Sequence, residues 1–82
     1  MPRYFFNTKN GECLRDDQGV ELSNLEAAKA EAAQILVESL NRSPQTLWET
    51  GHFSVIVTDE AGLTLVVVDA DGAVSPAAAG LG

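Results

Sequence analysis

Residues 23–42, SNLEAAKAEAAQILVESLNR, decide the fold because they combine the start, body and end of one long helix. Ser23 and Glu26 match a capping box, in which the serine hydroxyl accepts from the Glu26 amide and the Glu26 carboxylate reaches back. Five alanines follow, and alanine is the best helix former. Pro44 has no amide hydrogen and restricts the residue before it, so we expect the helix to end at about Asn41 or Arg42.

Apolar side chains recur at helical spacing along this stretch and cover about half of the helix circumference. A helix needs only about 100° of apolar arc to cover one core, so part of this arc is spare. The arc contains Leu25, Ala28, Ala32, Ile35, Leu36 and Leu40, extended by Ala33 and Val37. Lys29 projects close to the middle of the arc, where we expect its methylenes to cover apolar surface while the ammonium reaches water. The alternative is a buried Lys29 that pairs with a carboxylate or is poised for chemistry.

The composition of the 82 residues limits the classes of function. This length makes a single domain with a small core. Twelve acidic and five basic residues give a net charge of −7, which repels phosphate backbones, so we expect no nucleic-acid binding. Since the sequence has no targeting segment and no apolar run of about 20 residues, we expect a soluble cytoplasmic protein without membrane association. Cys13 is the single cysteine, which excludes an intramolecular disulfide and agrees with a reducing compartment.

Two β-hairpins are predicted, one before and one after the helix. In the first, Asn10-Gly11 is typical of a type I′ turn. In the second, Asp59 and Gly62 stand at the first and fourth positions that a type I turn prefers. Aromatic and β-branched residues favour strands on both sides of each turn. The four strands are expected at residues 3–8, 12–15, 53–58 and 63–68.

Several motifs link the first hairpin to the helix. The chain opens with Met1-Pro2-Arg3-Tyr4-Phe5-Phe6, continues through Asn10-Gly11, and reaches the helix by Asp16-x-x-Gly19-x-Glu21-Leu22 and Leu25-Glu26-Ala27-Ala28. In these motifs, and over the chain to about Val68, the sequence resembles a family of short uncharacterised bacterial proteins that open with the same hexapeptide. The family is a domain of unknown function, so the resemblance implies no activity, ligand or catalytic residue.

The strands carry more apolar surface than one helix can cover. A half-exposed strand alternates apolar and polar residues, whereas residues 65–68 are apolar on both faces. The face that meets the helix is expected to contain Phe53, Val55, Val57, Leu65 and Val67, packed on Leu25, Ala32 and Leu36. The opposite face is expected to contain Ile56, Val66 and Val68. Its cover would be a second copy of the chain, an unrelated protein, or a loop that carries Leu47 and Trp48 onto the sheet or helix edge.

Few residues are available for catalysis or metal binding. A nucleophilic Cys13 would need His52 as its base, and no third residue that orients the histidine is evident, so we prefer to interpret Cys13 as a small hydrophobe. One histidine and one cysteine leave carboxylates as the metal ligands, at Asp16, Asp17 and Glu21 or at Asp69 and Asp71. Aspartates are common in turns for their own local hydrogen bonds, so we prefer solvated turn acids. We predict no enzyme activity, no cofactor and no metal site.

The sequence thus predicts an α+β domain over residues 1–72, followed by a flexible tail over residues 73–82. Its antiparallel sheet has about four strands in β-β-α-β-β order, with one long helix packed on one face. The predicted function is a non-enzymatic protein-interaction module that forms a homodimer or binds another protein, through Ile56, Val66, Val68 and Trp48. The alternative is a protein that binds a small molecule or a divalent cation with the acidic turn Asp16-Asp17-Gly19-Glu21 and His52.

Overall fold

Five β-strands and two α-helices make up the computed structural model, which describes residues 1–78 and residue 80. The strand pairs in this part of the chain are antiparallel, and the fold class is α+β as predicted. In chain order the elements are β1 (Arg3–Lys9), β2 (Cys13–Leu14), β3 (Val20–Glu21), α1 (Leu25–Arg42), α2 (Pro44–Thr50), β4 (His52–Thr58) and β5 (Thr64–Asp71).

The long strands β1, β4 and β5 form the centre of the sheet, whose strand order is β2-β1-β4-β5. The short strand β3 also pairs with β1, at Arg3 and Tyr4. The predicted β-β-α-β-β order is therefore incomplete, because the chain adds β3 before α1 and a second helix after it. Among the described strands β5 pairs only with β4, so β5 lies at one edge of the sheet.

The helix α1 ends at Arg42 as predicted, but a different residue caps its start. The side-chain oxygen of Asn24 accepts from the amide of Ala27 at 2.9 Å. The predicted capping box of Ser23 and Glu26 is therefore wrong, since asparagine caps helices as well as serine does and lies one residue closer to the first turn. Glu26 instead lies 3.3 Å from the ammonium group of Lys29 on the exposed side of α1.

The segment after Pro44 was expected to be a loop and is a seven-residue helix. Proline is favoured in the first turn of a helix, where its missing amide hydrogen costs nothing, so Pro44 both ends α1 and starts α2. The helix α2 ends at Thr50 and is capped by Gly51, whose φ of 85° is in the left-handed region that glycine tolerates. Leu47 packs against the core, while the Trp48 ring lies over the backbone of Gly72.

The core lies between α1 and one face of the sheet. Ala28 and Ala32 are fully buried, and their small side chains let the α1 backbone approach the strands closely. Val55 and Val57 of β4 are fully buried opposite them. The buried apolar residues are Tyr4, Phe6, Ala28, Ala32, Leu36, Phe53, Val55 and Val57.

A bulge in β5 reverses the predicted orientation of this strand. Thr58 lies opposite Thr64, but Val57 lies opposite Val66, so Leu65 is an extra residue in β5. A bulge shifts the register by one position, and every later side chain then changes face. Val66 and Val68 consequently pack against the core, and Leu65 and Val67 face away from α1, the reverse of the prediction for all four residues.

The segment after β5 was expected to be a flexible tail over residues 73–82. Residues 79, 81 and 82 lie outside the described residues, and the flexibility of the segment stays a prediction. In the part that is described, the amide of Ala78 donates to the carbonyl of Ser75 at 2.9 Å, which closes a turn.

The close approach of α1 to the sheet predicts a difference between two alanines. Ala32→Leu should lower the free energy of unfolding by about 1–3 kcal/mol, because the larger side chain has no room between α1 and β4. Ala30→Leu adds the same side chain at an exposed position of the same helix and should change stability by less than about 0.5 kcal/mol. Urea denaturation of the two variants measures the difference, and equal losses would contradict this packing.

Candidate interaction surface

The outer face of the sheet, defined as the face turned away from α1, carries four large apolar side chains among the described residues. They are Phe5, Ile56, Leu65 and Val67. Ile56 lies directly opposite Val67 in the pairing of β4 with β5. Leu65 and Val67 keep 37% and 51% of their surface exposed, whereas α1 contacts β4 and β5 from the other side. The apolar part of the outer face is therefore concentrated next to the β5 edge.

The helix α1 also exposes apolar side chains, which include Leu25 and Ala30. Two others, Ala33 and Val37, we call the helix flank. Arg42 lines a cleft together with Leu14, so its side of α1 faces β2. With about 100° between successive residues of a helix, Ala33 lies opposite Arg42 around the axis and Val37 lies close to Ala33. Ala33 therefore faces the β5 side of the molecule, whereas Val37 lies nine residues, about 180°, from the fully buried Ala28 and points away from the sheet. The helix flank is the spare part of the apolar arc that the sequence predicts.

The two edges of the sheet differ in how they are closed. On the β1 side, β2, β3 and the loop between them occupy the edge. Within that loop the Asp16 carboxylate accepts the amide of Phe6 at 3.1 Å, in the place of a missing strand partner. On the other side, β5 has eight residues and no strand partner beyond it in the described part of the chain. An unpaired edge of this length presents a row of amide and carbonyl groups to solvent.

Asp16 lies at the centre of the acidic turn and has a structural role, because it makes hydrogen bonds to other residues of the chain. Its carboxylate also accepts the amides of Gln18 and Gly19, and its own amide donates to the Asn7 side chain at 3.0 Å. Burial alone would raise the pKa of this carboxyl. The hydrogen bonds from Gly19, Phe6 and Gln18, with the positive charge of Arg3, outweigh burial and bring the pKa below its ordinary value. Asp16 is therefore ionised at neutral pH and already has its partners.

The other groups of the predicted cation site are also engaged or distant. Glu21 lies 3.1 Å from the guanidinium group of Arg3. His52 is the first residue of β4, while the acidic turn lies near Thr58 at the other end of that strand. Six residues at about 3.3 Å each separate these ends by roughly 20 Å. Within the described residues, no group of three or more His, Cys, Asp or Glu side chains is arranged to hold a metal ion.

An open depression of about 330 Å³ lies beside the acidic turn. Its lining includes Phe5, Asn7, Asp16 and Asp59. The Asp59 carboxylate accepts the amides of Ala61 and Leu63, each at 2.9 Å, and so serves the turn between β4 and β5. Two of the carboxylates that line the depression are therefore occupied by backbone amides.

Cys13 and His52 are too far apart to act together. Cys13 lies opposite Lys9 on β1, and Lys9 lies opposite Ser54 on β4, two residues from His52. With strands about 4.8 Å apart and residues about 3.3 Å apart, the two Cα atoms are roughly 12 Å from each other. A nucleophile and its base need hydrogen-bond contact, so the structure provides no Cys-His pair. Cys13 is exposed, which corrects its interpretation as a buried hydrophobe.

The predicted interaction residues divide into two groups. Ile56 lies on the outer face as predicted, and Trp48 is exposed beside Gly72. Val66 and Val68 do not lie on the outer face, and Leu65 and Val67 take their place there. The position of Asp69 in the sequence could have predicted that Leu65 and Val67 lie on the outer face in place of Val66 and Val68. Asp69 has the same parity as Leu65 and Val67, and a carboxylate at that position disfavours burial of its face.

Comparison with known families gives one match. A family model described as Domain of unknown function (DUF6894) matches residues 3–74. No curated protein and no solved structure matches the chain. Among the described helices, none combines the length and the apolar composition that crossing a membrane requires.

The hydrogen bonds of Asp16 predict a loss of stability on substitution. Asp16→Ala should lower the free energy of unfolding at pH 7 by about 1–3 kcal/mol, because three backbone amides lose their acceptor. Asp17→Ala is the matched control, since the Asp17 side chain is exposed, and should change stability by less than about 0.5 kcal/mol. Chemical denaturation of both variants measures the difference.

The same carboxylate predicts a pH dependence. The pKa of Asp16 is lower in the folded chain than in the unfolded chain, where it is about 3.9, so its contribution is complete above about pH 5. It is lost as the pH falls through the folded value. The stability difference between wild type and Asp16→Asn should therefore shrink below about pH 4. A difference that stays constant from pH 7 to about pH 2.5 would contradict the assigned role.

Proposed function

Because the chain belongs to the family described as a domain of unknown function (DUF6894), which brings no activity with it, we propose a function from the surface of the molecule. The protein is a non-enzymatic interaction module that associates with a second copy of itself. The surface that does this is the side of the molecule along β5. There the outer face presents Leu65 and Val67, and the helix flank presents Ala33.

One observation carries this proposal: both layers of the fold expose apolar side chains next to the β5 edge, Leu65 and Val67 on the sheet and Ala33 on α1, with an unpaired strand edge between them. Full burial of one valine or leucine side chain contributes about 1.5–3 kcal/mol. Single exposed apolar residues are ordinary on protein surfaces, whereas a contiguous patch typically marks an interface. A second copy offers an equal patch and an equal edge, so one twofold axis can satisfy both molecules.

The net charge of the chain opposes this association and makes it depend on salt. Two copies of charge −7 repel each other at low ionic strength. At about 0.15 M salt the screening length is about 8 Å, which removes most of the repulsion between exposed charges that are not in contact. The dimer should therefore be weaker in low salt. This dependence is opposite to that of an interface held by ion pairs.

The alternative, a binding site for a cation or a small molecule at the acidic turn, has no observation in its favour. Asp16 and Glu21 already have protein partners, and His52 lies at the far end of β4. We retain the cytoplasmic location as part of the proposal. The exposed free thiol of Cys13 agrees with a reducing compartment.

Two charge-introducing variants test the proposal. Ala33→Glu and Val67→Glu each place a carboxylate on the proposed surface and should weaken the dimer at least tenfold, because the charge loses hydration on association. Both residues are exposed in the single copy, so folding should be unaffected. Sedimentation velocity over about 5–500 μM protein measures the dissociation constant, and circular dichroism checks the fold.

Leu14→Glu is the matched control for these variants. Leu14 is a similarly exposed apolar residue on β2, at the opposite edge of the sheet, and the substitution adds the same charge. Its dissociation constant should equal that of the wild type. A wild type that is monomeric at every concentration would refute the proposal, as would a Leu14→Glu variant weakened as strongly as the other two.

A further inference from the structure

We propose that the two copies join edge to edge, with β5 of one copy pairing antiparallel with β5 of the second about a twofold axis at Val67. The Ala33 side chains of the two copies then face each other on one side of the joined sheet. This inference rests on the self-association proposed above and adds its geometry. It makes a single continuous sheet from the two copies.

The backbone of β5 directs alternate residues to the open edge. The amide of Gly72 donates to the carbonyl of Gly51 at 3.0 Å, and these residues continue the register of β5 with β4. Hydrogen-bonded pairs alternate with non-hydrogen-bonded pairs along an antiparallel ladder. Val66 and Val68 therefore direct their amide and carbonyl groups to β4, whereas Val67 directs its groups to the open edge. A second strand can pair there without breaking any bond to β4.

Charge and side-chain parity select Val67 as the centre of the pairing. With the axis there, Val67 lies opposite the partner's Val67, and Val66 lies opposite the partner's Val68 on the helix side. The two Asp69 carboxylates are then offset by four residues, about 13 Å. An axis at Asp69 would instead place like charges directly opposite each other, which is unfavourable. The Asp69 carboxylate also keeps its hydrogen bond from Ser54, since both lie on the outer face.

The helix layer fits the same arrangement. The helix α1 contacts β4 more extensively than β5, so its axis lies between these strands, roughly 5–7 Å from the twofold axis. The two α1 axes are then roughly 10–14 Å apart, and the lower end of this range is close to the 8–10 Å at which packed helices contact each other. Ala33 faces the twofold axis from the β5 side, and Val37 lies about 40° further round α1, towards solvent. The proposed dimer thus accounts both for the exposure of Ala33 in the single copy and for the unpaired edge of β5.

The size of the contact predicts a weak and closed dimer. The bulge at Leu65 limits symmetric pairing about Val67 to residues 65–69. Five paired residues span about 16 Å, and a sheet plus a helix layer is about 20 Å deep, so the contact plane covers roughly 330 Å² of each copy. This value is below the roughly 800 Å² per partner of a standard stable interface, so we expect association at micromolar or higher concentrations. The other edge is occupied by β2, β3 and the Asp16 loop. Pairing at the β5 edge therefore closes after two copies and does not extend into fibres.

A proline substitution tests the edge hydrogen bonds. Val67→Pro removes an amide hydrogen that points to solvent in the single copy, a position that edge strands tolerate, so the chain should fold. In the dimer this amide donates to the partner, and we expect at least a tenfold rise in the dissociation constant. Val67→Thr keeps the amide and the β-branched shape, and it should dimerise within about threefold of the wild type. Sedimentation velocity measures both variants, with circular dichroism as the check on folding.

Cysteine crosslinking tests the register without relying on a proline. In a Cys13→Ser background, Val67→Cys places two thiols across the twofold axis, with Cα atoms about 5.5 Å apart, within the range of a disulfide. Mild oxidation at a concentration where the dimer forms should give a covalent dimer. Ile56→Cys is the comparison variant, since Ile56 lies on β4 and is about 14 Å from its copy in this arrangement.

The outcomes separate this inference from the proposed function. A monomeric wild type refutes both. A dimeric wild type whose Val67→Pro variant folds and still dimerises refutes the edge pairing alone. Crosslinking of Ile56→Cys in preference to Val67→Cys also refutes it, because that result requires two outer faces packed against each other.

Discussion

Burial of an unpaired carboxylate against α1 is energetically unfavourable, and this constraint determines which side of β5 faces the helix. The turn between β4 and β5 begins in a register that would place Asp69 in the core, opposite Phe53. The bulge at Leu65 shifts the register by one residue, so that Val66, Val68 and Ala70 pack on the core and Asp69 is exposed. The cost of an irregular strand is smaller than the cost of desolvating an unpaired charge. The exposed positions of Leu65 and Val67 follow from this exchange.

In the part of the chain that the structure describes, the two edges of the sheet differ in whether their backbone amides that lack a strand partner find another hydrogen-bond acceptor. The acidic turn closes the β1 edge with the Asp16 carboxylate, which accepts the Phe6 amide where no strand is present. Gly19 is required there because it has a φ of 73° and lies against the side chains of Arg3 and Phe5, which leave no space for a Cβ atom. The motif of Asp16, Gly19 and Glu21 is thus explained by its contacts with β1. The β5 edge has no strand partner among the described residues, and the proposed association uses this edge.

Much of the fold could be predicted from the sequence where one local signal acts alone. Hydrophobic periodicity predicts α1 and the strands β4 and β5 of the second hairpin. The chemistry of Pro44 predicts where α1 ends. The prediction failed where two signals compete, as at Ser23 and Asn24, which are both good caps. It also failed at Leu65, because a bulge depends on the cost of burying Asp69 and not on the local pattern. The sequence shows that α1 has more apolar surface than the core needs. The side of the molecule that this extra surface faces depends on how α1 is oriented on the sheet.

Amide exchange in β5 tests the central claim most directly, because it reads the backbone of the proposed edge residue by residue. Exchange of the Val67 and Val68 amides can be followed by NMR at protein concentrations below and above the dissociation constant. The Val68 amide, which is bonded to β4, should be protected at every concentration. The Val67 amide should exchange freely in the single copy and gain at least tenfold protection as the dimer forms. A dimer in which the Val67 amide still exchanges freely would contradict the account.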